Sequence, residues 1–259
     1  MLLAMSQIAW EQAHQAEAFA ILQQSGFTGL EIAPTLVAGP APYGSPETAG
    51  AFARQVKAGY GLSVCSMQSI WYGQQGSMFG PLRSHFIQYT KQAVLFAKAA
   101  GAGNLVFGNP KNRVLPKGEG QAAAVSFFGE IGGFAAQNGR VIALEANPPV
   151  YGTNLMNTTA EAFAMAQRVN SPGCRVNLDV GTMLVNREEV RGLRGMVKLV
   201  NHVHISEPGL AQVERRALHA ELAALLREEG YGGYVSVEMK QQPLEAIQKT
   251  AEYVAEVFA

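Results

Sequence analysis

The sequence predicts an α/β protein folded as a single (β/α)8 TIM barrel over residues 1–259, and three observations predict it. Strand-like and helix-like segments alternate from end to end, which implies βαβ units and a parallel sheet. Eight such units can be counted. The length, 259 residues, is close to the ~250 of a one-domain barrel.

Strands are expected near 2–8, 29–34, 62–69, 104–109, 141–146, 175–180, 200–206 and 234–239. Helices are expected near 11–25, 46–59, 83–101, 120–138, 158–170, 187–198, 215–229 and 243–258. The opening run Met1-Leu2-Leu3-Ala4-Met5 is apolar but short, with no basic stretch before it. It reads as the first strand rather than a signal peptide. The helices carry apolar residues at steps of three and four; in the last, Leu244, Ile247, Ala251, Val254 and Phe258 make one face. Glycine marks the joins: Gly26, Gly61, Gly103, Gly139 and Gly232 each precede a strand, where the left-handed position that ends a helix suits glycine. A weak internal echo links Gly26–Ile32 with Gly230–Met239, each a helix end leading through glycine into a strand that carries a glutamate. Nothing marks a second domain. Two long loops, Ala38–Ser45 and Asn109–Glu119, follow strands and so fall on the rim where barrel active sites lie.

Lys plus Arg and Asp plus Glu both number 20, for zero net charge. With no basic run, the chain lacks the electrostatic footprint of a nucleic-acid or anionic-membrane partner. A small, neutral or lightly charged substrate fits better. No apolar run reaches the ~18 residues of a transmembrane helix. Cys65 and Cys174 lie in apolar strand-like stretches and are expected as buried free thiols, which suits a cytoplasmic protein.

Four residues stand at the ends of the last four strands: Glu145, Asp179, His204 and Glu238, spaced by 34, 25 and 34 residues, each about one βα unit. In a parallel barrel successive strand ends converge on one rim. Any one alone has an ordinary alternative: Asp179 as a helix cap, His204 as a core histidine, a glutamate as surface. Together, three carboxylates and an imidazole in a partly desolvated site require a compensating positive charge. One divalent metal ion provides it. Three oxygen ligands and one nitrogen suit Mn²⁺ first, with Mg²⁺ or Co²⁺ as alternatives and Zn²⁺ less favoured.

The segments Gly108–Arg113, Leu144-Glu145-Ala146-Asn147-Pro148, Leu178-Asp179-Val180-Gly181-Thr182, His204-Ile205-Ser206-Glu207-Pro208 and Ser236-Val237-Glu238-Met239 resemble the xylose-isomerase-like sugar isomerase/epimerase superfamily, and the resemblance extends over essentially the whole chain. It implies metal ligands at Glu145, Asp179, His204 and Glu238. It also implies an isomerase or epimerase acting on a sugar-like carbonyl substrate through an enediolate, with Glu145 and Glu238 as the catalytic acid/base pair on opposite faces of the substrate. Three positions depart from the ketose 3-epimerase pattern. Thr182 stands where those enzymes carry a histidine, Tyr151 where they carry a second glutamate, and Leu210 where they carry an arginine. The metal shell therefore transfers better than the substrate shell.

Further substrate-binding candidates are Glu31, Gln68, Trp71, Asn147, Glu207 and Lys240. Glu31 and Gln68 end strands; Trp71 and Trp10 follow strands and are candidate walls against a sugar's apolar face, or ordinary packing. Lys240 shares the face of Glu238 by period 2. Lys111 and Arg113 are candidates for binding a carboxylate or phosphate, with a solvated loop as the default. His202 reads as core one layer below His204, and His14, His85 and His219 as solvent-facing helix residues. Competing readings are a dehydratase or lyase sharing the same proton abstraction, a metabolite-binding barrel without turnover, and a phosphodiesterase. Five histidines and zero net charge argue against the last. Barrels of this type often pair, so a homo-oligomer is expected on analogy alone.

Overall fold

Eight parallel strands close into a barrel in the order β1 to β8, with β8 hydrogen-bonded back to β1. The computed structural model describes residues 1–118 and 120–259. The strands are β1 (Leu2–Ser6), β2 (Gly29–Ile32), β3 (Ser63–Met67), β4 (Asn104–Phe107), β5 (Val141–Glu145), β6 (Cys174–Asp179), β7 (Val200–Ser206) and β8 (Tyr234–Glu238). The helices are α1 (Gln15–Gln24), α2 (Pro34–Ala38), α3 (Pro46–Tyr60), α4 (Arg83–Ala100), α5 (Ala122–Gln137), α6 (Thr159–Val169), α7 (Val180–Asn186), α8 (Ala217–Glu228) and α9 (Leu244–Phe258). Among the described residues, closure leaves no strand edge unpaired.

Local chemistry sets the boundaries. Thr158 caps α6 in a capping box: its hydroxyl accepts from Glu161 N while the Glu161 carboxylate accepts from the Thr158 backbone. In α9, Ile247, Ala251, Val254 and Phe258 are fully buried, as the period requires. Along the strands, Leu30, Ile142, Leu144, Val203, Ile205, Val235 and Val237 belong to the buried apolar layer. The alternate positions Glu31, Ser66, Asn177, His202, His204 and Ser236 are buried and polar. This alternation gives the barrel an apolar jacket under the helices and a polar interior.

The structure corrects several expectations. The helix expected over 187–198 is instead α7, starting directly after β6 because Asp179 caps it; only short 3-10 turns occupy Val190–Leu193 and Val197–Leu199. The short α2 has no counterpart among the expected helices. Gly26, Gly61 and Gly139 do hold left-handed backbone, but at two joins the left-handed residue is Gly101 or Gly230, not Gly103 or Gly232. His219 is fully buried, its Nδ1 2.8 Å from the Tyr253 hydroxyl, rather than facing solvent. Arg113 is also fully buried, not on a solvated loop. Trp10 packs edge-on against Phe19 inside the core. Cys65 and Cys174 are buried free thiols, as expected. The loop expected over Asn109–Glu119 is described through Gly118; Glu119 lies outside the described residues. No described helix is long and apolar enough to cross a membrane.

Candidate metal centre

Register aims four distant residues at one point. Across the sheet Glu145 pairs with Asn177, Asp179 with His204, and Ser206 with Glu238. Residues paired in register share a face, so all four ends project into the barrel mouth. Glu145, Asp179, His204 and Glu238 each offer a ligand atom, and these atoms lie within 4.8 Å of one another.

The contacts inside this cluster fit a metal better than a hydrogen-bonded network. His204 Nδ1 lies 3.1 Å from Glu145 Oε1 and 3.2 Å from Glu238 Oε2. Yet this fully buried nitrogen makes no hydrogen bond of acceptable geometry. The four candidate ligand atoms are close enough together for one ion to reach all of them. Burial pushes the Asp179 and Glu238 carboxyls upward, and neighbouring carboxylates add to it against the opposing pull of His204. Burial opposes charging His204, but Glu31 and Glu238 hold its protonated form well above the ordinary imidazole range. Such an accumulation of negative charge, with one imidazole to offset it, is what a divalent cation neutralises.

Glu145 and Asp179 are also held from outside the cluster. Glu145 Oε1 accepts from Asn177 Nδ2 at 2.7 Å and Oε2 from Asn147 Nδ2 at 3.3 Å. Asp179 Oδ1 accepts from Thr182 N at 2.6 Å, and Oδ2 from the Ser206 hydroxyl. A Cβ at Gly181 would stand 2.9 Å from Ser206 Oγ, and one at Gly108 2.8 Å from Glu145 Oε2. Glycine at these two positions lets the backbone come that close. Asn177 and Ser206 lie two residues from Asp179 and His204 respectively; same-face periodicity is the signal that finds them.

Beneath His204 lies a buried polar column. Its Nε2 bonds Glu31 Oε2 at 3.0 Å, and His202 Nε2 lies 3.2 Å from the same oxygen. Ser66 Oγ donates to Glu31 at 2.7 Å, Asn104 Nδ2 to Ser66 at 2.9 Å, and Asn201 Nδ2 to Asn104 at 2.7 Å. Burial pushes the Glu31 carboxyl up, but the His204 charge and the two imidazole contacts prevail and hold it well below the usual range. Glu31 therefore sits under the cluster with no exposure, not on the pocket wall. It fixes Nε2 of His204 as the hydrogen-bonded nitrogen and leaves Nδ1 facing the three carboxylates.

The other candidates divide. Gln68, Trp71 and Asn147 line the cleft beside Glu145 and Glu238. The Trp71 indole N–H is already given to Thr90 Oγ1 at 2.9 Å, so Trp71 offers only its ring. Glu207 lines the other side of the cleft, but Oε1 accepts from Arg216 Nε at 2.7 Å and Oε2 from Arg216 Nη2 at 2.6 Å. Lys240 is exposed, and its backbone N donates to Leu210 O at 2.9 Å. Lys111 is exposed as well. Arg113 is a residue whose role the sequence hid. Its guanidinium donates to Glu145 O at 2.8 Å, Asn147 Oδ1 at 3.0 Å and Met156 O at 3.4 Å, tying the β4 loop to the ends of β5.

Fold and site together define the class. Residues 19–257 match the family model of the xylose isomerase-like TIM barrel, and the chain belongs to that family. Among solved structures it is similar to D-psicose 3-epimerase from Clostridium cellulolyticum H10 with D-tagatose, at TM-score 0.79 and 16% identity, covering 100% of this chain and 99% of that one. It is similar to the 3-keto-D-glucoside 4-epimerase of E. coli, at TM-score 0.78 and 19% identity, covering 99% of each. An AP endonuclease, family 2, from Brucella melitensis is also similar, at TM-score 0.73 and 17% identity, covering 100% of each chain. At such identities these likenesses establish the shared barrel. No curated protein matches the chain in sequence.

Proposed function

We propose that the protein is a divalent-metal-dependent isomerase or epimerase of a small sugar-derived carbonyl compound. The observation that carries this is the convergence of Glu145, Asp179, His204 and Glu238 around an unbonded, buried His204 Nδ1. The family and the epimerases among the structural neighbours support it. Those four residues would hold the ion, with Mn²⁺ first and Mg²⁺, Co²⁺ or Zn²⁺ as alternatives. When bound, the ion supplies Lewis-acid polarisation of the substrate's carbonyl and adjacent hydroxyl.

The chain's own groups do the proton work. Glu145 and Glu238 stand on β5 and β8, three strands apart around the ring, and both border the cleft. One carboxylate takes the proton from the carbon beside the carbonyl; the other, on the opposite face, returns a proton. Burial raises Glu238 toward the basicity a general base needs. Asn147 and Asn177 orient Glu145, and Asp179, tied to Thr182 and Ser206, serves as a fixed ligand. The substrate candidates Gln68, Trp71, Asn147 and Glu207 border the cleft; Glu31 and Lys240 belong to support and rim. We place the protein in the cytoplasm, acting on a small molecule without nucleic acid or membrane, with pairing into a homo-oligomer open to measurement.

The deciding experiment loads the purified protein with Mn²⁺, Co²⁺, Mg²⁺ or Zn²⁺, measures metal stoichiometry, and follows loss of the α-proton signal in D₂O on a panel of ketoses and keto-glycosides. One ion per chain with exchange and no change in carbon skeleton is expected. Retention of no metal, or exchange that does not depend on it, would refute the reading. A product lighter by one water points to a dehydratase on the same first step.

A further inference from the structure

We infer that Arg113 is a positioning residue: acting through the side-chain amide of Asn147, it holds the Glu145 carboxylate turned toward the other three proposed ligands. This rests on the metal-centre reading above. Arg113 is fully buried. Its guanidinium donates to the Glu145 carbonyl at 2.8 Å and to Asn147 Oδ1 at 3.0 Å. Asn147 Nδ2 in turn donates to Glu145 Oε2 at 3.3 Å, while Asn177 holds the other carboxylate oxygen at 2.7 Å.

The chemistry at both ends dictates which way the amide faces. A guanidinium only donates, and an ionised carboxylate only accepts. An amide between them satisfies both in one orientation alone, with Oδ1 toward Arg113 and Nδ2 toward Glu145. The reverse would set two donors face to face and two acceptors face to face. The Asn147 backbone is held separately: its N donates to Met156 O at 2.9 Å, and its O accepts from Asn157 Nδ2 at 2.8 Å. What remains free is the turn of the amide, and Arg113 sets it. Charge runs along the same line. Among the described residues no carboxylate lies within ion-pair distance of Arg113, yet Glu145 is the charge that offsets its burial. A buried cation needs such a counter-charge, and here it is reached across an amide.

The segment before Arg113 is shaped for this contact. Gly108 holds no left-handed φ, so its missing side chain serves space rather than backbone. A Cβ there would stand 2.8 Å from Glu145 Oε2 and 3.4 Å from Asn147 Oδ1, the two groups that Arg113 links. Asn109 then takes a left-handed φ of 44°, a region asparagine tolerates. The 3-10 turn Pro110–Asn112 follows and brings Arg113 back to the end of β5. The turn is pinned from the loop after β3: Asn112 Nδ2 donates to Gly76 O at 2.8 Å, and Asn112 O accepts from Met78 N at 2.8 Å.

The test is a double-mutant cycle read without turnover. Asn147→Ala and Arg113→Met are compared singly and together, by Co²⁺ affinity against a chromogenic chelator and by the visible Co²⁺ spectrum, which follows ligand geometry. Each single variant should lose affinity about 10–100-fold and shift the spectrum. The double variant should lose no more than the worse single one, because the two residues act in series. Arg113→Lys keeps the charge but lacks the fork, so it should match Asn147→Ala; it replaces Arg113→Met in the cycle if that variant does not fold. Losses that multiply in the double variant, or an affinity within about threefold of wild type in either single one, overturn the inference and leave the function standing. So does a fall in Tm with an unmoved Co²⁺ spectrum, the mark of a merely structural arginine. If the wild type retains no metal, the function fails, and metal-free crystals decide the inference separately. The Glu145 carboxylate should then turn from its wild-type position in both Asn147→Ala and Arg113→Lys; an unmoved carboxylate overturns it.

Discussion

The two halves of the barrel serve one site in different ways. The ends of β5–β8 supply all four proposed ligands and their immediate anchors, Asn177 and Ser206. Among the described residues the β1–β4 half supplies none of the four proposed ligands. It contributes Glu31 and Ser66 from beneath, and Gln68, Trp71 and Asn109 as a wall. The difference teaches that chemistry and support are separable here. Groups that would react border the cleft at the ends of β5 and β8; the carboxylates are oriented from within their own half, whereas the histidine is held from beneath by the opposite half.

The largest expected effect falls on the β5–β8 half. Glu145→Gln and Glu238→Gln keep side-chain volume and remove the acid/base function, so each should lower kcat by about 10²–10⁴-fold. Single-turnover proton exchange with the loaded enzyme measures it. A variant within tenfold of wild type would remove that residue from the acid/base pair. Because the two would act on opposite faces, wash-in of deuterium from one substrate epimer should fail more severely in one variant than in the other.

Next comes Arg113, the strap between the halves. Removing it as Arg113→Met takes the guanidinium from Glu145 O and Asn147 Oδ1, whereas Met156 O keeps Asn147 N as a donor at 2.9 Å. Unsatisfied buried acceptors cost about 1–3 kcal/mol each without adding fully, so a loss of about 3 kcal/mol in urea denaturation is expected. A loss under about 1 kcal/mol would mean that water replaces the guanidinium and that the β4 loop is not held by it.

The same contrast explains what could be read in the sequence. The convergence of Glu145, Asp179, His204 and Glu238 was legible because each ends an apolar strand at a spacing of about one βα unit. Glu31 was legible as a strand-end carboxylate but not as support, because strand shear decides whether an inward residue faces the mouth or the layer below. Arg113 was invisible in role. Its loop is polar and rich in turn residues, and only the approach of the β5 carbonyls makes its burial favourable. The helix expected over 187–198 failed because Asp179, a member of the cluster, also caps α7, so the helix begins without the usual intervening loop.

Smaller in effect, and on the supporting half, is Glu31→Gln. The amide keeps the volume but weakens the hold on His204 Nε2, so metal affinity should fall about 10–100-fold, as for other residues behind a metal-bound histidine. Competition with a chromogenic chelator reads this directly, without turnover. Unchanged affinity would show that β5–β8 alone fixes the histidine, and the two halves would be less coupled than the column suggests.

The smallest effect is a slope with pH. Without metal, Asp179 and Glu238 titrate above their unfolded values of 3.8 and 4.5, from burial first, and His204 titrates above 6.5 because of the surrounding carboxylates. All three shifts are upward, so the stability they contribute is present at low pH and is lost as pH rises through the folded values. Glu31 is shifted downward; its contribution is present above about 4.5 and stays constant in this window. The metal-free protein should therefore lose Tm between pH 5 and 8. Metal binding displaces the same protons, so affinity should rise by about tenfold per pH unit for each proton released. The gap in Tm between loaded and metal-free protein should widen with pH. A gap that narrows would mean that the ion is held by groups already deprotonated, and the cluster at the ends of β5–β8 would not be the one that binds it.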